Sequence, residues 1–223
     1  VAIAARRHGA ANPNAQLRKP ITMDDYLASP MQIEPLHRDD CCLVSDGGGA
    51  VVIMSAQRAK DLRVPAPVPI LGFGGGNTSV ELQNRACLTT TEAVRSSRLA
   101  FDMAGVRPID VDVAQLYDCF SVAVLMTLED YGFCNKGGVY DFVRDGQIEF
   151  GGRLPINTSG GLECKGHPIG ASGLSQIHEI VTQLRGEAGR RQVEDARIGL
   201  TENGGGNIGV EEAAMCIHIL EKT

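Results

Sequence analysis

The feature that most limits the fold of this chain is the order of its apolar runs after residue 70. Short strand-like runs at Ile70–Phe73, Val111–Leu116, Ile198–Thr201 and Ala213–Leu220 alternate with helix-length patterns at Thr91–Ala104, Ser121–Tyr131 and Ala171–Leu184. Strands taken in turn with helices specify an α/β domain with a largely buried sheet. In Thr91–Ala104 the expected core face is Ala93, Val94, Leu99, Ala100 and Met103, and Gly105 is placed to end the helix. Ser121–Tyr131 stops at Gly132. Ala171–Leu184 sets Ile177, Ile180, Val181 and Leu184 on one side, with Gly186 after it. Asp141–Gly152 is expected to be a polar excursion.

The upstream part is less regular. VAIAARRHGAANPNA reads as an amphipathic helix already under way, so the chain is expected to be the later part of a longer product. Turn residues and prolines then run to about Asp40, as in a long packed loop. Ala50–Met54 is continuous and β-branched, which predicts a strand buried on both faces, and Ala56–Leu62 follows as a short polar helix. The proline-punctuated stretch Val64–Pro69 marks a domain boundary, dividing the chain into residues 1–63 and 64–223. Ser45-Asp46-Gly47-Gly48-Gly49 and Glu202-Asn203-Gly204-Gly205-Gly206 each precede an apolar run. A duplicated domain would end both copies this way; chance is the alternative in a chain with 27 glycines.

Composition excludes several classes. The net charge of −6, without a basic cluster, argues against a nucleic-acid or basic membrane surface. No apolar run approaches the roughly 20 residues that span a bilayer. Seven scattered cysteines with no CxxC fit reduced cytoplasmic thiols rather than disulfides or a metal site. With 43% hydrophobic residues but no Trp and 4% aromatics, the core must be aliphatic.

Three segments could carry chemistry. Asn157–Gly173, NTSGGLECKGHPIGASG, is a glycine-rich loop entering a helix. His167 there, just before Pro168, would face the positive end of the helix dipole and stay neutral; a histidine that merely caps its helix is the alternative. Leu116–Ser121, LYDCFS, joins a strand to a helix. Asp118 could cap that helix, Cys119 would feel its dipole, and Tyr117 could donate to a carbonyl; simple packing explains the same residues. Thr201–Gly209, TENGGGNIG, is either a tight turn close to a ligand or an ordinary strand connection. Gly72–Gly76 lacks a nucleotide-binding context.

GGLECKGHPIGASG resembles the Gly-His-Pro loop of thiolases, and the lysine before it resembles the sterol-carrier-protein, or lipid-transfer, type. NPNAQLRKPITMDDYLASP and CCLVSDGGGAVVIMSAQRA resemble the loop region and the end of the N-terminal half in that branch, and ENGGGNIGVEEAAMCIHIL its C-terminal hairpin. The resemblance implies the five-layer αβαβα thiolase fold, with an incomplete N-terminal half, a complete C-terminal half, and a homodimer. It implies a coenzyme A thioester as substrate, with no tightly bound cofactor. His167 matches the histidine that activates a nucleophilic cysteine, itself expected upstream. Gly166, Pro168, Ser172, Gly204 and Gly205 are the expected substrate and coenzyme A contacts. Ordinary thiolases carry a second catalytic cysteine where this chain has Glu202, beside Asn203. In the sterol-carrier branch that cysteine moves to an HDCF motif, here YDCF, so Cys119 matches it and Tyr117 replaces the family's His or Asn.

Three functions follow. The first is a thiolase-type acyltransferase using Cys119 and His167. The second is a thiolase-like retro-aldolase of steroid side-chain breakdown using Tyr117 and His167, a group that often works with a small OB-fold partner. The third is a lipid-binding or scaffold subunit without chemistry. Both catalytic versions place His167, Cys119, Tyr117, Asn203 and Glu202 around one pocket.

Overall fold

The structure is a computed structural model that describes residues 1–76, 87–208 and 211–223, with the backbone alone for 206–208 and 211–214. Fifteen regular elements are needed here: α1 (Ala2–Ala11), α2 (Met23–Ala28), β1 (Met31–Ile33), β2 (Leu36–His37), α3 (Ala56–Asp61), β3 (Ile70–Gly76), α4 (Ala93–Ala104), β4 (Val113–Gln115), α5 (Ser121–Asp130), α6 (Val139–Arg144), α7 (Gly161–Cys164), α8 (Ser172–Leu184), β5 (Ile198–Ile208) and β6 (Glu211–Glu221) complete the set with a 3-10 turn at Arg38–Asp40. β1 and β2 form a small antiparallel pair. The main sheet has the order β3-β6-β5-β4, with β4 parallel to β5 and the other pairs antiparallel. The expected α/β architecture is present.

The two faces of the sheet are packed by different means. Gly72 and Gly74 of β3 let α4 lie almost backbone to backbone: a Cβ on Gly74 would sit 1.9 Å from the Ser96 carbonyl oxygen, and one on Gly72 2.3 Å from that of Ala100. At that distance only small side chains fit. The buried stripe of α4 against β3 is therefore Ala93, Ser96, Ser97 and Ala100, while the buried Phe101 joins the larger core. The expected face is corrected accordingly, because Val94, Leu99 and Met103 are exposed. Ile217 and Ile219 of β6, opposite Gly74 and Gly72, join Leu116, Val124, Leu128 and Leu200 in the larger core. On the opposite face α8 contributes Ile180 and Leu184 to a smaller core with Val113 and Leu220. Gly105, Gly132 and Gly186, placed to end α4, α5 and α8, all have positive φ.

Three further expectations are corrected. Ala50–Met54 lies in no strand, and Val52 (84%) and Ile53 (75%) face solvent. A doubly buried strand needs neighbours on both sides, and none of the described strands pairs with this run. The second glycine triplet is not a turn: Glu202–Gly205 continue β5, with Gly204 opposite Met215 and Gly205 opposite Ala214. Gly209 lies outside the described residues. The echo between the triplets therefore marks no structural repeat within this chain. The polar excursion begins as a helix, α6, and is anchored by buried Ile148.

Candidate active site

The site forms where three chain segments meet at the end of β4. After Gln115 the chain passes through Leu116 to Tyr117, whose backbone N–H donates to Glu202 Oε2 at 2.8 Å. Glu202 is buried on β5, so the strand that carries it fixes where the tyrosine leaves the sheet. The Gly-His-Pro loop arrives from α7. Tyr117 Oη and His167 Nε2 lie 3.3 Å apart, with their rings edge to face at 81°. The other ring nitrogen, Nδ1, is 2.7 Å from Ser172 Oγ at the start of α8. Both imidazole nitrogens thus have hydroxyl partners. Partial burial lowers the pKa of His167, which keeps the ring neutral and basic.

Pro168 has ψ 56° and precedes a 3-10 turn, Ile169–Ala171, and α8 starts only at Ser172. Pro168 is therefore outside the first turn of α8, unlike the helix-start placement expected for it. Asp118 is also reassigned. The N-cap position of α5 is Phe120, without a side-chain cap. Asp118 instead accepts the N–H of Leu162 at 2.8 Å and of Glu163 at 3.4 Å. It caps α7, the helix that delivers the Gly-His-Pro loop, and so ties the two functional loops together. Burial raises the Asp118 pKa to about 6.

The other expected residues are distributed as follows. Asn203 follows Glu202 on β5, donates to Gln176 Oε1 of α8 at 3.3 Å, and packs where a side chain on Gly173 would stand. Cys119 lies one residue before the N-cap of α5, and its carbonyl oxygen accepts the N–H of Cys42 at 3.0 Å. Gly166 has φ +142°, and Pro168 follows His167 directly. Gly204 and Gly205 lie farther along the β5–β6 ladder. Ser172, also expected to touch substrate, has its Oγ on the imidazole Nδ1.

Sequence reasoning missed two groups. Ser45, in the first glycine triplet segment, accepts the backbone N–H of His167 at 3.1 Å, and no local pattern could announce a partner 122 residues away. Beneath the loops lies a buried acid cluster. Ser121 Oγ is 2.7 Å from Asp40 Oδ1 and 2.9 Å from Glu163 Oε1, and Tyr26 donates to Asp40 Oδ2 at 2.6 Å. One serine proton cannot serve two carboxylates, so one carboxyl must itself be protonated. Burial, then the neighbouring Asp118, pushes Glu163 well above its ordinary range, which assigns that proton to Glu163. Burial also raises the thiol pKa of Cys41 and Cys42, so neither is a ready thiolate.

Comparison with known proteins identifies the family. The family model for thiolase C-terminal domain-like proteins matches residues 74–221. The chain belongs to the thiolase superfamily. It is 37% identical over its whole length to an acetyl-CoA acetyltransferase of Methanothermobacter thermautotrophicus, covering 57% of that protein. It is 39% identical over 81% of its length to a steroid side-chain-cleaving aldolase of Thermomonospora curvata, covering 48% of that protein. It is 34% identical over 88% of its length to sterol carrier protein 2 of Oryctolagus cuniculus, covering 37% of it. Among solved structures, the Ltp2-ChsH2(DUF35) aldolase superposes with a TM-score of 0.86 at 33% identity, covering all of this chain and 57% of that one. The chain thus spans about half the length of the relatives it matches. Its thiolase relatives are of the sterol-carrier-protein type as well as acetyltransferases and aldolases. Among the described residues no helix is long and apolar enough to cross a membrane, and no cluster of His, Cys, Asp and Glu could hold a metal ion.

Proposed function

We propose that this chain supplies the acid–base part of a site that cleaves a carbon–carbon bond beside a coenzyme A thioester by retro-aldol chemistry. The observation that carries the proposal is the approach of Tyr117 Oη to His167 Nε2 at 3.3 Å. In the tautomer that directs the Nδ1 proton to Ser172 Oγ, the imidazole presents a lone pair at Nε2 to the phenol. Catalytic hydrogen bonds in unliganded sites are commonly this long and close when substrate binds.

The substrate class is a β-hydroxyacyl thioester. Tyr117 takes the β-hydroxyl proton while passing its own to His167. The β-carbon becomes a carbonyl, the Cα–Cβ bond breaks, and its electron pair moves into the thioester as an enolate. The stored proton returns to Cα, leaving a ketone or aldehyde and a shortened acyl thioester. A phenol with an unperturbed pKa near 10 suits this task only beside a base, and His167, kept neutral by its lowered pKa, is free to accept a proton. Similarity to the steroid side-chain-cleaving aldolase supports this reading. Coenzyme A thioester binding along Gly166, Pro168, Gly204 and Gly205, a homodimer, and an OB-fold partner belong to the same proposal. The last is favoured by the similar solved structure, whose name carries a second component, ChsH2(DUF35).

A thiolase-type acyltransferase is the second reading, favoured by 37% identity to an acetyl-CoA acetyltransferase. There Cys119 would be the acid–base residue, and the nucleophilic cysteine would come from outside these residues. Incubation with β-hydroxyacyl thioesters and with β-ketoacyl thioesters plus coenzyme A separates the two. Formation of a carbonyl product and a shortened thioester without added coenzyme A is expected; turnover only of the β-ketoacyl substrates would replace the aldol reading by the acyltransferase one.

A further inference from the structure

The first glycine triplet has no part in the chemistry above, yet it lies along the Gly-His-Pro loop. Val44 pairs with His167 as an isolated parallel bridge. Ser45 Oγ accepts the His167 N–H at 3.1 Å and the Gln16 side-chain amide at 2.7 Å. A Cβ on Gly47 would meet the Pro168 ring at 3.0 Å, and one on Gly49 would meet Leu174 at 3.1 Å. Gly166 completes the fit from the other side. It has φ +142°, and a Cβ there would strike the Gln16 amide at 2.6 Å and Ser45 Oγ at 2.9 Å. The segment from Val44 to Gly49 is thus a seat in which residues 166–168 rest.

We propose that Ser45 is a positioning residue for His167, holding its backbone in the seat so that the imidazole meets Tyr117. The ring itself is steered by Ser172 and Tyr117 at its two nitrogens. Neither contact fixes the Cα from which the ring hangs. The bond from Ser45 does, and Gln16 fixes Ser45 in turn. Positioning of this kind acts through geometry, because small displacements of a reacting group carry large rate penalties. The seat also links a segment upstream of Val64–Pro69 to the loop that carries the histidine.

The role of Ser45 rests on the functional reading only for its kinetic consequence, and the test separates the two. In the full-length protein, ring nitrogen NMR of His167 should show one dominant tautomer and a single titration midpoint. Ser45→Ala should shift that midpoint and average the tautomer signals, and Ser45→Thr should restore both. Gln16→Ala, at an exposed position, should shift them in the same direction by less, and it serves if Ser45→Ala does not fold. In turnover, Ser45→Ala should lower kcat about ten-fold with KM little changed, from the loss of one hydrogen bond and its geometry. The same substitution made on His167→Ala should cost nothing more. Unchanged His167 signals in folded Ser45→Ala would overturn the proposal. So would a loss of turnover that adds in full on His167→Ala. A Tyr117→Phe variant with full aldol turnover would overturn the functional reading while leaving the NMR result to decide the role of Ser45.

Discussion

His8 gives the sharpest test of how this chain spends its core. It lies on α1, is 1% exposed, and packs against Phe150 with ring centroids 4.2 Å apart and the rings tilted at 56°. Burial lowers its pKa from 6.5 to about 4, with backbone carbonyls and Glu149 opposing the shift. The sign follows from linkage. Between pH 6.5 and 4 the unfolded chain binds a proton at His8 that the folded chain refuses, so stability rises with pH across this window and is lost as pH falls. At one pKa unit per 1.36 kcal/mol, allowing for half-protonation of the folded state at its own midpoint, the loss at pH 4 is about 3 kcal/mol. His8→Leu removes the titration while keeping an apolar contact with Phe150. Urea unfolding of both proteins at pH 7 and pH 4 gives the difference directly, and other titrating groups cancel in it. The wild type should lose about 3 kcal/mol more than His8→Leu on acidification. Parallel losses in the two proteins would refute the argument and mean that His8 is charged or solvated in the fold.

The acid cluster predicts the opposite sign. Glu163 has a raised folded pKa, so its contribution is present at low pH and is lost as pH climbs through that value; Glu163→Gln should therefore be at least as stable as the wild type at pH 8 and flatter in its pH dependence. Measured by chemical unfolding, a variant less stable than the wild type at pH 8 would mean that the carboxylate is charged and needed. Gly74→Ala places a Cβ 1.9 Å from the Ser96 carbonyl oxygen and should cost about 3 kcal/mol through overpacking and separation of α4 from β3; a cost under about 0.5 kcal/mol in thermal unfolding would contradict the close approach.

The sequence announced the elements that depend on local chemistry. Gly105, Gly132 and Gly186 terminate their helices where placed, and the alternation of strands and helices after residue 70 is real. It misassigned features that depend on what lies opposite. The apolar residues Val94, Leu99 and Met103 looked like the core of α4, but glycines on β3 demand small residues at the contact. Ala50–Met54 has strand chemistry without a strand beside it. Asp118 carries a cap signal, yet the helix it caps lies more than 40 residues downstream in sequence. In the site, Tyr117 and His167 were legible as a pair because both stand on loops at an α/β sheet edge. Ser45 and the acid cluster of Asp40, Ser121 and Glu163 were not, since each depends on contacts between distant segments.

Whether the Tyr117–His167 pair moves the proton decides between the aldol and acyltransferase reactions. The most direct measurement is kcat for β-hydroxyacyl thioester cleavage by the wild type, Tyr117→Phe and Cys119→Ala, each shown to be folded. Tyr117→Phe removes only the hydroxyl that faces His167 Nε2 at 3.3 Å and should lower kcat by roughly 10²–10⁴, the range for a lost general acid or base, while Cys119→Ala stays within a few-fold of the wild type. Turnover that survives in Tyr117→Phe and collapses in Cys119→Ala would contradict the account and assign the proton to the thiol.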